Sequence, residues 1–279
     1  MHLIVVLLGL TGVLGKLIDT GSTVLVWYRM LIAFLVLGVY IYFKSNSLRV
    51  SKKHFIQIIG IGCIVAAHWL LFFESIKVSN VSVAVVCMGT SSLFSSILEP
   101  LIIKRKVFLR EIILAVLVLI AIGIAMNADL SYVKGYVYGI AAAFLATLFT
   151  ILNALYVDKV ESEKITSIEM LGGFLFVSIY MFFYNSFSLA DLVISWNDIL
   201  YLTILGGICT SFAFVVSVEV MKFISPYNVI MAVNLEPIYS ILLALVLFGE
   251  SESMNISFYF GALLIIGAVI LDGYLKKKT

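Results

Sequence analysis

Long apolar runs follow one another from Leu3 to Leu275, and most of the charged residues fall in the short stretches between them. A helix of about 20 residues is long enough to cross the roughly 30 Å hydrocarbon core of a bilayer, so each run has the length of one crossing. The pattern predicts helices over 2–18, 23–43, 54–76, 81–103, 111–127, 135–156, 166–186, 198–219, 227–248 and 256–274. Composition agrees: 63% of the residues are hydrophobic, 12% are charged and the mean hydropathy is +1.16. A soluble domain carries about 25% charge, and a chain with half as much has too little polar surface to cover a globule. The expected fold is an all-α integral membrane protein of ten transmembrane helices, which excludes a soluble enzyme and leaves no room for a separate soluble domain. The first run has no basic stretch before it and no small-residue cleavage site after it, so it reads as a mature helix.

With the first helix entering from the inside, fourteen Lys and Arg fall on the inner side, among them Lys44, Arg49, Lys52, Lys53, Lys104, Arg105, Lys106, Lys276, Lys277 and Lys278. Lys77 and Lys134 fall outside. Inner loops collect positive charge, so both termini are expected in the cytoplasm and the chain in a cell membrane of the bacterial inner type. The net charge of +2 is too small to point to a nucleic-acid partner. The expected partners are the lipid bilayer and a small-molecule substrate, with a proton as a further candidate and with no cofactor and no metal. Cys63, Cys87 and Cys209 lie inside apolar runs without Cys-x-x-Cys spacing or His neighbours and read as small packing residues.

Shifting the chain by 145 residues aligns Ile59 with Ile204, Gly62 with Gly207, Glu74 with Glu219, Lys77 with Lys222, Ser95 with Ser240 and Leu98 with Leu243. The apolar matches mean little in so apolar a chain. The paired Glu-x-x-Lys means more because charge is scarce. Two halves of five helices each, 1–130 and 131–279, must insert with opposite orientation because five is odd. This is the inverted-repeat plan, in which a substrate binds near mid-membrane between the halves.

The order of several short motifs resembles the drug/metabolite transporter superfamily, in its ten-helix EamA-like branch. Ser225-Pro226, then Asn234-Leu235-Glu236-Pro237, then Phe248-Gly249-Glu250 is similar to that family's second half. Gly12 to Lys16 resembles the end of its first helix, and Trp27-Tyr28-Arg29 the arginine early in its second. The first half departs in carrying Ser91-Ser92 where a proline often stands, and Arg105 where the second half has Glu250. The resemblance implies carriage of small metabolites, often outward and often amino acids or related compounds.

An ionisable group inside a span is costly and normally faces a cavity or a partner. Glu236 is the foremost candidate, near mid-depth of the ninth run, with Pro237 behind it removing a backbone donor. It is a candidate both for substrate and for a coupled proton. Glu99-Pro100 repeats the dipeptide nearer a helix end, where a solvated ion pair with the neighbouring basic cluster is expected. Arg29 has two readings: its side chain snorkels to the interface, or it turns inward to hold a carboxylate. Trp27 and Lys16 likewise read either as interface anchors or as cavity residues. Trp69 is a candidate aromatic wall, and Asn153 a candidate counterpart of Lys16 across the repeat. His68 is a candidate proton carrier, set against a neutral ring bonded to a neighbouring helix. The hydroxyls of Thr90, Ser91, Ser92, Ser95 and Ser96 read as helix packing.

No GxxxxGK[ST], HExxH or GxSxG occurs, so neither ATP-driven pumping nor a recognised hydrolase is expected. A secondary carrier working by alternating access is favoured over a membrane enzyme or an assembly partner, since a mere packing bundle has no need of a mid-span Glu-Pro.

Overall fold

The computed structural model describes residues 2–45, 50–128, 130–183 and 188–276, and among these there is no strand. Helices α1 (His2–Leu17), α2 (Ser22–Ser45) and α3 (Lys52–Val78) lead to the short α4 (Val81–Met88) and α5 (Ser91–Ile103), followed by α6 (Leu109–Ala128). Then come α7 (Val133–Ala154), α8 (Ser162–Phe183), α9 (Trp196–Gly206), α10 (Ala213–Val220), α11 (Pro226–Val233), α12 (Glu236–Phe248) and α13 (Ile256–Lys276). Seven helical stretches are long and apolar enough to cross a membrane, with shorter apolar helices at His2–Leu17 and Ile256–Ala268. Large side chains such as Phe43, Leu101, Phe182 and Val246 stand exposed on the outside, a surface suited to lipid and not to water. Arg49, Lys277 and Lys278 of the predicted charge asymmetry lie outside the described residues.

Three of the expected continuous helices are interrupted. Between α9 and α10 a π-helical turn, Gly207–Phe212, inserts extra backbone; Thr210 and Ser211 donate their hydroxyls five residues back, to the carbonyls of Leu205 and Gly206 at 2.7 and 2.8 Å. The other two breaks are repeat mates. The bounds of α4 and α5 shifted by 145 residues are those of α11 and α12. In the second half Pro237 restarts the helix in the first turn of α12. The first half has no proline at its break, and hydroxyls take up carbonyls there instead: Thr90 donates to Cys87 at 2.7 Å and Ser92 to Gly89 at 3.0 Å. Asn80 caps α4 by accepting from the Val83 amide, and Ser225, its mate, caps α11 by accepting from the Asn228 amide. The seventh helix begins earlier than expected, at Ser162, because charge in its first turn finds partners: Lys44 meets Glu163 at 2.7 Å and Ser162 donates to Glu219 at 2.6 Å.

Packing follows the same exchange of halves. Helix α2 lies on α8, the α4/α5 pair on α11/α12, and α6 on α13. Helix α3 packs on α7 as α1 packs on α9 and α10, and α7 packs on α4/α5 as α1 packs on α11/α12. The contact of α3 with α8 is close because Gly62 faces the backbone of Glu169 and Gly172 faces that of Ile59. A Cβ at Gly62 would meet main-chain atoms that have no side-chain freedom to give way. Gly62→Val is therefore expected to destabilise the bundle by about 1–3 kcal/mol or more, seen as a lower melting temperature and loss of a monodisperse peak on size exclusion.

Candidate substrate cavity

A cavity of about 110 Å³ opens in the middle of the bundle, lined from both halves by α1, α2, α3, α4, α5, α7, α10, α11 and α12. It reaches from Arg29, Trp69 and Glu236 toward Asn153, Met221 and Val229, the end where α7 and α10 finish and α11 begins. Its wall is aromatic: the Phe214 ring lies 5.9 Å from Trp69 and 5.5 Å from Phe149.

Arg29 turns inward and is 1% exposed. Its guanidinium sits 3.7 Å from the centre of the Trp69 ring, and Nε donates to Thr210 Oγ1 at 2.7 Å. The π turn supplies that acceptor by rotating Thr210 toward α2. One guanidinium nitrogen, Nη1, is buried without a partner. Glu236, the first residue of α12, lies in the same cavity, and the two groups attract one another without forming an ion pair. A buried guanidinium with an unused donor and a separate buried carboxylate together present one positive and one negative site, a pattern that matches a zwitterion.

His68 also lines the cavity, and its Nδ1 lies 2.9 Å from the carbonyl of Ala142 on α7. Facing a carbonyl, that nitrogen must carry the hydrogen, which leaves Nε2 as an acceptor in the neutral ring. Asn153 joins the wall with both polar atoms of its amide buried and unbonded. The cavity hydroxyls are committed to helix carbonyls, Thr147 to Ala143 at 2.9 Å and Ser217 to Ala213 at 2.7 Å, in line with packing.

Arg29, Trp69, Asn153, His68 and Glu236 thus share one cavity, whereas Trp27 and Lys16 lie elsewhere. Trp27 fills the α2–α8 contact, donating to Ser178 at 2.9 Å with its ring 5.1 Å from Phe174. Lys16 stands at the closed end, 2.8 Å from Glu252 and 4.5 Å from the centre of the Phe248 ring. Glu252 is 0% exposed and accepts from the amides of Val81 at 3.0 Å and Ser82 at 2.9 Å, so the turn after α12 clamps α1 and α4. Nearby, Ser22 donates to Glu74 at 2.5 Å and Asp198 accepts from the Asp19 amide at 2.9 Å. The ion pair expected of Glu99 is present but is not solvated. Glu99 is buried, and Arg105 folds back between it and Glu111 at 3.2 and 2.8 Å, because the turn from α5 to α6 brings both carboxylates to one guanidinium.

Of the buried carboxylates that the sequence analysis did not single out, Glu169 and Glu252 bear most on the cavity. Glu169 stands inside an apolar run and could have been found on the same ground as Glu236, the cost of an ionisable group within a span. Glu252 lies two residues past the motif residue Glu250, which is exposed, and no pattern in the sequence marks it.

A multi-pass helical bundle with a polar-tipped, aromatic-walled central cavity made from both halves has the architecture of a membrane transporter. The family model of EamA-like transporters matches residues 1–127 and 133–272. The chain belongs to the EamA-like transporter family and is an integral multi-pass membrane protein of the drug/metabolite transporter type. A solved crystal structure shares its fold with a TM-score of 0.74 over 98% of this chain and 97% of the other, at 16% identity. No curated protein matches the sequence.

Proposed function

We propose that this protein is a secondary-active or facilitative carrier that exports small zwitterionic metabolites, amino acids and related compounds among them, by alternating access. The observation that carries the reading is the unpaired presence of Arg29 and Glu236 in one aromatic-walled cavity. Arg29 would take a substrate carboxylate, Glu236 its ammonium, and Trp69 its apolar part; Asn153 adds a hydrogen-bonding amide. In this reading ten helices cross the membrane as two inverted halves, 1–130 and 131–279, with both termini in the cytoplasm of a bacterial cell. The cavity then opens toward the cytoplasm. Purified protein in liposomes tests this: flux of one or more zwitterions from a metabolite panel supports it, and enzymatic turnover without flux of any compound refutes it.

The orientation makes its own prediction. Reporters fused at Lys53 and Thr279 are expected to read inside, and those at Thr20 and Asn197 outside. A reporter at Thr279 reading outside would break the inverted arrangement.

A further inference from the structure

Glu169 on α8 is 0% exposed, and neither carboxylate oxygen has a hydrogen-bond donor. Asn153 stands beside it without good hydrogen-bond geometry, and Asn153 is part of the cavity wall. The carboxyl therefore lies one side chain behind the cavity.

Among the described residues, the charged and titratable groups around it are all engaged elsewhere. Helix α3 turns Gly62 and Cys63 to α8, with the Cys63 thiol 3.8 Å from the Gly172 carbonyl, and His68 points to Ala142. On α2, Met30 packs at Gly173, Arg29 is held by Thr210 and Trp69, and Lys44 pairs with Glu163. Lys164 pairs with Glu161 at 3.0 Å, and Glu219 of α10 with Lys222 at 2.8 Å. An ionised carboxylate enclosed without a cation, with only the poorly aligned Asn153 amide beside it, is very costly, and a carboxylic acid is much less so.

The repeat gives the position a second meaning. Ser22 and Ser162 open α2 and α8 and bond the repeat mates Glu74 and Glu219. Arg29 and Glu169 each lie seven residues further on, so they are mates. Gly206, one residue before the register mate of Gly62, lies against Ile32 and the Arg29 carbonyl, and Gly62 lies against the Glu169 backbone. In an inverted repeat, the state open at the other end is the one in which each half adopts the other's present arrangement. Glu169 then stands where Arg29 stands now, at the cavity wall.

We propose that Glu169 is a proton-binding site of the transport cycle, separate from the Arg29–Glu236 pair, protonated in the conformation seen here and able to release its proton to cavity water in the opposite one. The O–H bond of the acid breaks, the proton passes to water, and the carboxylate remains. The idea rests on the carrier reading for the opposite conformation but not for the protonation itself.

Infrared spectroscopy of the purified protein in lipid nanodiscs reads a protonated carboxylic acid through its carbonyl stretch. At neutral pH the wild type is expected to show the band, Glu169→Gln to lose it, Glu169→Asp to shift it, and Glu236→Gln to leave the Glu169 component in place. In Glu252→Gln, which frees the closed end, the band should weaken and titrate. A wild-type spectrum without the band overturns the proposal. So does a band that Glu169→Gln and Glu169→Asp both leave unchanged, or one untouched in a Glu252→Gln protein whose cavity labels from the freed end. Flux in liposomes is scored separately: its absence in the wild type counts against the carrier reading, while the spectra still decide whether Glu169 holds a proton.

Discussion

Glu236→Gln is expected to lower flux of a zwitterionic substrate about tenfold to a hundredfold, with the protein still folded and inserted. Glutamine keeps the shape and one acceptor but removes the charge that pairs with an ammonium, and a hydrogen bond to a charged group is worth about 1.5–3 kcal/mol. The loss should be smaller for an analogue lacking the ammonium, because that ligand never used the carboxylate. Arg29 provides the complementary comparison, since its guanidinium remains held by Trp69 and Thr210 in the variant. Concentration-dependent flux of substrate and analogue in liposomes measures both. Wild-type flux at every pH would reduce Glu236 to a packing residue in the turn of a broken helix.

Glu252→Gln is expected to release the closed end of the cavity. The wild-type carboxylate holds the Lys16 ammonium and two amides at the start of α4, where the helix end also favours negative charge. Because the Lys16 ammonium is partly exposed, loss of the carboxylate costs what a hydrogen bond to a charged group is worth, about 1.5–3 kcal/mol, which corresponds to a population shift of about tenfold to a hundredfold. At the other end Val107 occupies the repeat position of Glu252, and it is exposed. That asymmetry accords with a cavity that reaches toward the start of α11. In protein with Cys63, Cys87 and Cys209 replaced, a cysteine at the cavity residue Thr11 should react with a membrane-impermeant maleimide from the Lys16 side about tenfold to a hundredfold faster after Glu252→Gln than before. An unchanged rate would mean that the clamp only stabilises the fold.

The ends of the helices were legible to within a few residues because the solvent dictates them: a bilayer admits only apolar stretches of one length. The 145-residue register was legible for a related reason, since charge is so scarce that Glu74, Lys77, Glu219 and Lys222 stand out. The breaks were half legible. Pro237 announces the second, while the break at Gly89-Thr90 rests on local hydroxyl bonds that have no distinctive pattern.

Helix orientation about the long axis could not be read in the same way. Where a helix is apolar all round, there is no polar face to say which side looks inward. Trp27 and Arg29 lie two residues apart on α2, and packing sends the tryptophan against α8 and the arginine into the cavity. Long-range pairs such as Lys16 with Glu252 join residues more than two hundred positions apart and exist only once the halves are docked. By itself the sequence determined where the apolar helices run and how charge is distributed between them, because those follow from the solvent acting on each segment alone, and its scarce charges marked the 145-residue register. The tertiary structure alone decided which polar groups share the cavity, which seal its far end and which carboxyl is left enclosed without a cation, because each of these depends on how one apolar helix is turned against another.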